Sequence, residues 1–291
     1  MIRAIDSWRD LCEKYSEPDG LPVWKKAGPW TEDKLYFWKR YLDITTKAMH
    51  SSRAFPGGLV YVDLFGGAGV CASKEAPTKR FPGSAIIAAH AAKPFRKIIV
   101  CEQNRLLAKA CRTRLDATAV ADRCEVLVGD CNALVHEVVQ KIPQRALTLA
   151  FIDPKGLDAQ FETIEVLARN SRVDFVLLFA DAYDITRNCE RVYRPDLDSK
   201  LDQVLGPGID WRKELDGLKH SNSVTRRKLF ADIYKRQLER LLKYKYFGKK
   251  VMKRGGRPLY RLVYASKDKL GLKFWREALK EDSGGQRELF D

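Results

Sequence analysis

The stretch Leu59–Gly69, LVYVDLFGGAG, decides the fold. It reads as a buried strand that ends on a carboxylate, Asp63, and runs directly into a glycine loop. Three further apolar runs repeat the arrangement. RKIIVCE ends at Glu102, EVLVGD at Asp130, and LTLAFIDPKG carries Asp153 at its end. Each acid alone is an ordinary strand-end or helix-capping residue. Four of them at successive strand ends describe the rim of one pocket, because an open α/β sheet holds its ligand outside the carboxyl ends of its strands.

The glycines Gly66, Gly67 and Gly69 let backbone approach a ligand and tolerate positive φ. Gly67, Gly69 and Ala72 fit the dinucleotide pattern G-x-G-x-x-A, so a nicotinamide cofactor is one candidate. Three features argue against it. Asp63 precedes the glycines and suits an ammonium better than a pyrophosphate. The following segment, VCASKEAPTKRFPG, is a poor helix, so no helix N-terminus awaits a phosphate. Glu102 lies 33 residues after Gly69, where the dinucleotide pattern expects about 20, and the excess reads as a loop from Val70 to Pro82. S-adenosylmethionine fits better, since it has an ammonium, a ribose and an adenine but no phosphate. The expected cofactor set is Asp63, Phe65, Gly66, Gly67, Gly69, Glu102 and Asp130. Asp63 would face the ammonium, Glu102 the ribose hydroxyls and Asp130 the adenine amine.

Strand and helix patterns alternate around this loop. Strands are predicted at 59–64, 97–102, 124–129, 146–152 and 173–179. Helices are predicted from Gly83-Ser84 to about Ala92 and near 105–116, 132–140 and 160–169. Such alternation implies a parallel sheet. Residues 1–55 form an aromatic-rich helical extension, 56–180 a Rossmann-like core, and 181–222 a polar, turn-rich insertion over the strand ends. Residues 223–291 supply a helix at about 224–243 and a hairpin of strands 248–253 and 259–266 joined by RGGRP. A last helix, about 271–280, and a polar tail, DSGGQRELFD, follow. This is the expected class I methyltransferase fold: α/β, a parallel sheet with a terminal antiparallel hairpin.

The charge is segregated. Of 53 Lys and Arg and 38 Asp and Glu, Ser221–Lys280 holds 19 basic and 4 acidic residues. That segment carries the whole net charge of +15, and the remaining chain is neutral. Basic side chains interleaved with Tyr and Trp suit a nucleic-acid phosphate track. The expected contacts are Arg226, Arg227, Lys249, Lys250, Lys253, Arg254 and Arg257. The 7 cysteines contain no C-x-x-C pair, so no zinc site or disulfide framework is expected, and buried thiols in a reducing cytoplasm are the simplest reading. No apolar run reaches membrane length, and the start MIRAIDSWRDLCEKY is not a signal peptide. The histidines have no partner at metal-ligand spacing.

Five segments carry a resemblance to a known family: GPW..DKL (Gly28–Leu35), YVDLFGGAGV (Tyr61–Val70), Gly83-Ser84, FIDPKG (Phe151–Gly156) and GRPLYRLVYASKDKLGLKFW (Gly256–Trp275). The chain resembles the three-Cys-motif partner protein family, over about residues 28–290. The resemblance implies a methyltransferase-like fold, S-adenosylmethionine as cofactor, and a neighbouring radical-enzyme-like protein bearing the three-cysteine motif, which is itself absent here. FIDPKG marks the expected catalytic centre, Asp153, Pro154 and Lys155. Amine methyltransferases often carry D/N-P-P-Y/F there, whose aromatic stacks on a flipped base. Lys155 and Gly156 depart from that pattern, and nothing adjacent in sequence stacks, which disfavours adenine-N6 chemistry. The stretch looks more like the DPFG of tRNA guanine-N2 dimethyltransferases. The resulting expectation is a methyltransferase acting on nucleic acid. The alternative is a non-catalytic binding module of the same fold that supports its partner.

Overall fold

The computed structural model describes residues 7–282. The start of the chain, 1–6, and all but the first residue of the tail read from Asp282 lie outside the described residues. In chain order the elements are α1 (Trp8–Lys14), β1 (Trp24–Ala27), α2 (Pro29–Met49), β2 (Leu59–Asp63), β3 (Val70–Ser73), β4 (Arg80–Pro82) and α3 (Ser84–Ala89). Then come β5 (Lys97–Glu102), α4 (Arg105–Asp116), β6 (Cys124–Val128), α5 (Cys131–Lys141), β7 (Leu147–Ile152), α6 (Phe161–Asn170) and β8 (Arg172–Phe179). An irregular helical stretch, 181–193, contains α7 (Thr186–Asn188). It leads to α8 (Lys200–Leu205), α9 (Trp211–Asp216), α10 (Ser223–Leu242), β9 (Tyr246–Arg254), β10 (Arg257–Ser266) and α11 (Lys269–Ala278).

Seven strands form one sheet in the order β6-β5-β2-β7-β8-β10-β9. The first five are parallel, and β10 runs antiparallel to both β8 and β9. The central strands β2 and β7 are buried along their whole length, as strands covered on both faces must be. Strand order reverses at β2: the chain builds outward through β5 and β6, then crosses back to lay β7 on the other side. That reversal opens a crevice at the carboxyl ends of β2, β5 and β7.

Aromatic side chains of α2 fix the first helix to the sheet. Trp38 stacks on Phe151 with centroids 4.7 Å apart. Tyr41 and Tyr264 both donate to the buried Asp174 carboxylate, at 3.0 and 2.9 Å. Tyr264 in turn stacks on Trp275, 5.4 Å away. This network joins α2, β8, β10 and α11, and its hydrogen bonds satisfy a carboxylate that would otherwise be costly to bury.

Two regions differ from the sequence reading. The stretch Val70–Pro82 is a hairpin of β3 and β4, antiparallel to each other, with β1 added in parallel to β3. The sequence pattern predicts loop and helix here because these strands are three or four residues long and β1 pairs with a remote segment. The insertion 181–222 is helical and partly buried. Leu201, Leu205 and Trp211 are fully buried within the core cluster that includes Phe230, Ile233 and Leu238 of α10. Among the described residues no helix is long and apolar enough to cross a membrane.

Candidate functional site

The glycine loop leaves β2 at Asp63. Gly67 and Gly69 have φ of +59° and +78°, the left-handed region that glycine enters freely. At Gly66 the limit is space, since a Cβ there would lie 2.1 Å from Val100 Cγ1. The four acids of the predicted rim take four different roles. Asp63 is fully buried. It accepts the Phe65 amide at 3.1 Å and the Tyr61 hydroxyl at 3.0 Å, and Trp38 Nε1 donates to that hydroxyl. It therefore shapes the loop from beneath. Burial raises its pKa to about 6, while bonds from Ser84, the Phe65 amide and Tyr61 oppose the rise.

Glu102, at the end of β5, clasps the loop. Its Oε2 accepts the Gly67 amide at 2.9 Å and its Oε1 accepts the Asn104 amide at 2.7 Å. Each oxygen keeps a free lone pair, and the side chain is half-buried. Asp130 is exposed and caps α5 by accepting the Asn132 amide at 2.9 Å. Phe65 and Gly67 are half-buried, and Gly69 is buried.

The end of β7 is built differently. Asp153 forms an ion pair with Lys34 of α2, whose side chain is only 6% exposed. Desolvation works against the Lys34 ammonium, but Asp153 and Tyr260 outweigh it and raise the pKa, so Lys34 stays protonated. The Tyr260 ring of β10 lies 5.7 Å from Lys34 Nζ and Phe151 lies 6.0 Å away. The Tyr260 hydroxyl is buried with no well-formed hydrogen bond, yet it lies close enough to Lys34 for the ammonium to oppose the rise that burial gives its pKa. Pro154 is buried, whereas Lys155 is exposed and sits 5.6 Å from the Trp24 ring centroid. An aromatic absent from the sequence beside Asp153 thus arrives from β1, well over a hundred residues away. Sequence reasoning missed Lys34, Trp24 and Tyr260, although GPW..DKL contains the first and GRPLY the last.

The predicted basic contacts fall into separate groups. Arg226 and Arg227 open α10; Arg226 pairs with Glu190 at 3.0 Å and donates to Ser221 Oγ, while Arg227 donates to the Ser223 carbonyl. On β9, Lys250 and Arg254 face α2, over Phe37 at 4.8 Å and Trp30 at 5.4 Å. Lys249, Lys253 and Arg257 are exposed. The twofold period of a strand puts Lys249 and Lys253 on the face opposite Lys250 and Arg254.

Sheet order, the antiparallel β10 and the glycine loop after β2 together define a class I methyltransferase fold. No family model matches the chain, and neither does any curated protein. Solved structures do match. The protein LPL1258 from Legionella pneumophila is 10% identical, with 85% of this chain and 91% of that chain covered and a TM-score of 0.48. The O-methyltransferase TomG from Streptomyces achromogenes, solved with SAM, is 13% identical over 79% of each chain, at a TM-score of 0.42. An O-methyltransferase from Bacillus cereus, solved with SAH, is 9% identical over 79% of this chain and 80% of that one, also at 0.42.

Proposed function

We propose that the chain binds S-adenosylmethionine over the glycine loop and transfers its methyl group to nucleic acid, working beside a three-cysteine-motif protein in the reducing cytoplasm. The observation that carries this reading is the Glu102 clasp on Gly67 at the switch point of the sheet. A carboxylate at the end of β5, with lone pairs left over, suits a ribose diol, and a loop with two glycines at positive φ suits the rest of the nucleoside. Phe65 lies in the same loop, and Asp130 follows β6, the next strand out from β5. On the far side of the switch point, Asp153 is the group to orient a substrate amine beside the sulfonium. Methyl transfer needs chiefly a nucleophile lined up with that centre, and a carboxylate there offsets charge developing on the amine.

The ion pair to Lys34 favours a second reading, the non-catalytic binding module, because it already occupies Asp153. One experiment separates the two. Calorimetry with S-adenosylhomocysteine tests the cofactor, and labelled methyl transfer to total tRNA and DNA, with the three-cysteine protein present, tests the chemistry. Asp153→Asn is expected to keep cofactor affinity and lower transfer by roughly a hundredfold or more. Cofactor binding with no transfer to any nucleic acid favours the binding module. No cofactor binding removes the methyltransferase reading and leaves a module that serves its partner or binds nucleic acid.

A further inference from the structure

Two indoles are tied to the segments that carry the Asp153–Lys34 pair, and each already carries a cation. Lys155 lies over Trp24 and Arg254 over Trp30. Trp24 pairs in register with Cys71 on β3. Trp30 stands one helical turn before Lys34 on α2, on the same face of the helix. Both indoles are only partly buried, and both cations are exposed. Tyr260 lies on the other side of Lys34, and its buried hydroxyl makes no well-formed hydrogen bond. Buried hydroxyls are almost always paired, so an unpaired one next to a buried ion pair marks a place for a hydrogen-bonding ligand.

We infer that Trp24, Trp30, Lys155 and Arg254 form a single-strand site that stacks an unpaired base on indole, holds the flanking phosphates, and presents the base edge to Asp153, Lys34 and the Tyr260 hydroxyl. The inference rests on the nucleic-acid reading above and specifies its substrate as a single strand. Aromatic platforms alternating with cations are how proteins track single strands, because every base offers a π-face. A duplex hides its bases in the stack, so it gains only the charges. The pair itself is suited to a base edge: the carboxylate accepts from an exocyclic amine, and the ammonium donates to a ring nitrogen or carbonyl.

The test uses the full chain with a fluorescent single-stranded RNA of about 12 nucleotides and the duplex of the same sequence. The single strand is expected to bind about tenfold tighter. Trp24→Ala and Trp30→Ala are each expected to weaken single-strand binding about tenfold, the scale of one lost stack, and Trp24→Tyr to restore it. Duplex affinity should not follow the indoles. Should Trp24→Ala fail to fold, Lys155→Gln decides. It lies on an exposed turn and is expected to flatten the salt dependence of single-strand binding by about one phosphate. Equal affinity for single strand and duplex, or tryptophan variants that bind as wild type does, overturns the inference. S-adenosylhomocysteine binding measured on the same protein keeps the two questions apart. If the cofactor binds but single-strand preference is missing, only this inference falls. If the cofactor does not bind, the methyltransferase reading falls and the stacking result stands separately.

Discussion

The two sides of the switch point satisfy their acids by different means. On the β2–β5–β6 side, acids accept from backbone amides of their own loops: Asp63 from Phe65, Glu102 from Gly67 and Asn104, Asp130 from Asn132. On the β7–β8 side, acids meet cations from remote elements. Asp153 takes Lys34, 119 residues away, and Asp181 takes Arg261, 80 residues away. Amide donors are set by local chain geometry and tune a loop. Remote cations tie separate elements together, and each leaves a buried charge if its partner goes. The first side is therefore expected to control ligand affinity and the second to control stability.

The sharpest way to break this contrast is to remove a cation. Arg261 donates to Asp181 at 2.8 Å, and the Asp181 side chain is 4% exposed. Burial raises the Asp181 pKa and Arg261 opposes that rise. Arg261→Ala strands a buried carboxylate and is expected to cost about 4 kcal/mol in denaturant unfolding. Lys34→Ala is expected to cost less, about 3 kcal/mol, because Asp153 is 21% exposed and water reaches it. In each case the double variant with the acid also neutralised should recover part of the loss. A cost below about 1 kcal/mol for both single variants would place these pairs with ordinary surface ion pairs.

Asp63 is the exception on the amide side, because it is buried and no cation answers it. Its ordinary value of 3.8 rises to about 6 on folding. The folded chain therefore holds a proton that the unfolded chain releases between about pH 4 and 6. The stabilising contribution is complete below the unfolded value and is lost as pH rises through the folded one. The difference corresponds to about 3 kcal/mol. Relative to Asp63→Asn, which does not titrate, wild type should lose about that much stability between pH 3.5 and pH 7. Unfolding both proteins across that range measures it, since other titrating groups cancel in the difference. A flat difference would mean that water reaches Asp63.

The same contrast explains what the sequence could disclose. The five parallel strands, their helices, the terminal hairpin and α11 are legible because each is a local pattern: an apolar run, a cap, a turn. Asn104 and Asp130, for instance, cap α4 and α5 where the apolar periodicity begins. The glycine loop and its acids belong to this local class. Lys34 does not. In sequence it is one lysine in a helix of mixed polarity, and only the fold brings it to Asp153. The β1–β3–β4 sheet was hidden for a related reason: its strands are too short for alternation to register, and β1 pairs with a segment more than forty residues later. The apolar stripe of α10 was partly visible. Of the aliphatic residues that helical spacing picks out on it, Ile233, Leu238 and Leu242 are buried and Leu229 and Leu241 are half-buried, while Phe230, Tyr234 and Gln237 complete the buried stripe. DKL, FIDPKG and GRPLY, far apart in the chain, supply Lys34, Asp153 and Tyr260 to one place.

Glu102→Gln is the smallest change and the finest test of the comparison. The carboxylate accepts one amide on each oxygen. Glutamine keeps the length and one acceptor, but it turns an NH2 group toward the other amide and breaks one hydrogen bond. The side chain is half-buried, so water can reach the freed amide, and the expected cost is about 1 kcal/mol. Ligand affinity should suffer more in proportion. If Glu102 holds the ribose diol while it clasps Gly67, the substitution weakens an acceptor and frees the loop that must lie against the nucleoside. S-adenosylhomocysteine affinity is then expected to fall about tenfold or more, equivalent to about 1.4 kcal/mol. Lys34→Ala should show the reverse proportion, a large stability loss with cofactor affinity near wild type. If Glu102→Gln costs as much stability as Lys34→Ala, the clasp is a structural tie and the two sides of the sheet do not differ. If it costs little and S-adenosylhomocysteine binds unchanged, the ribose rests on another group, and Asp130, exposed at the start of α5, is the next acid to test.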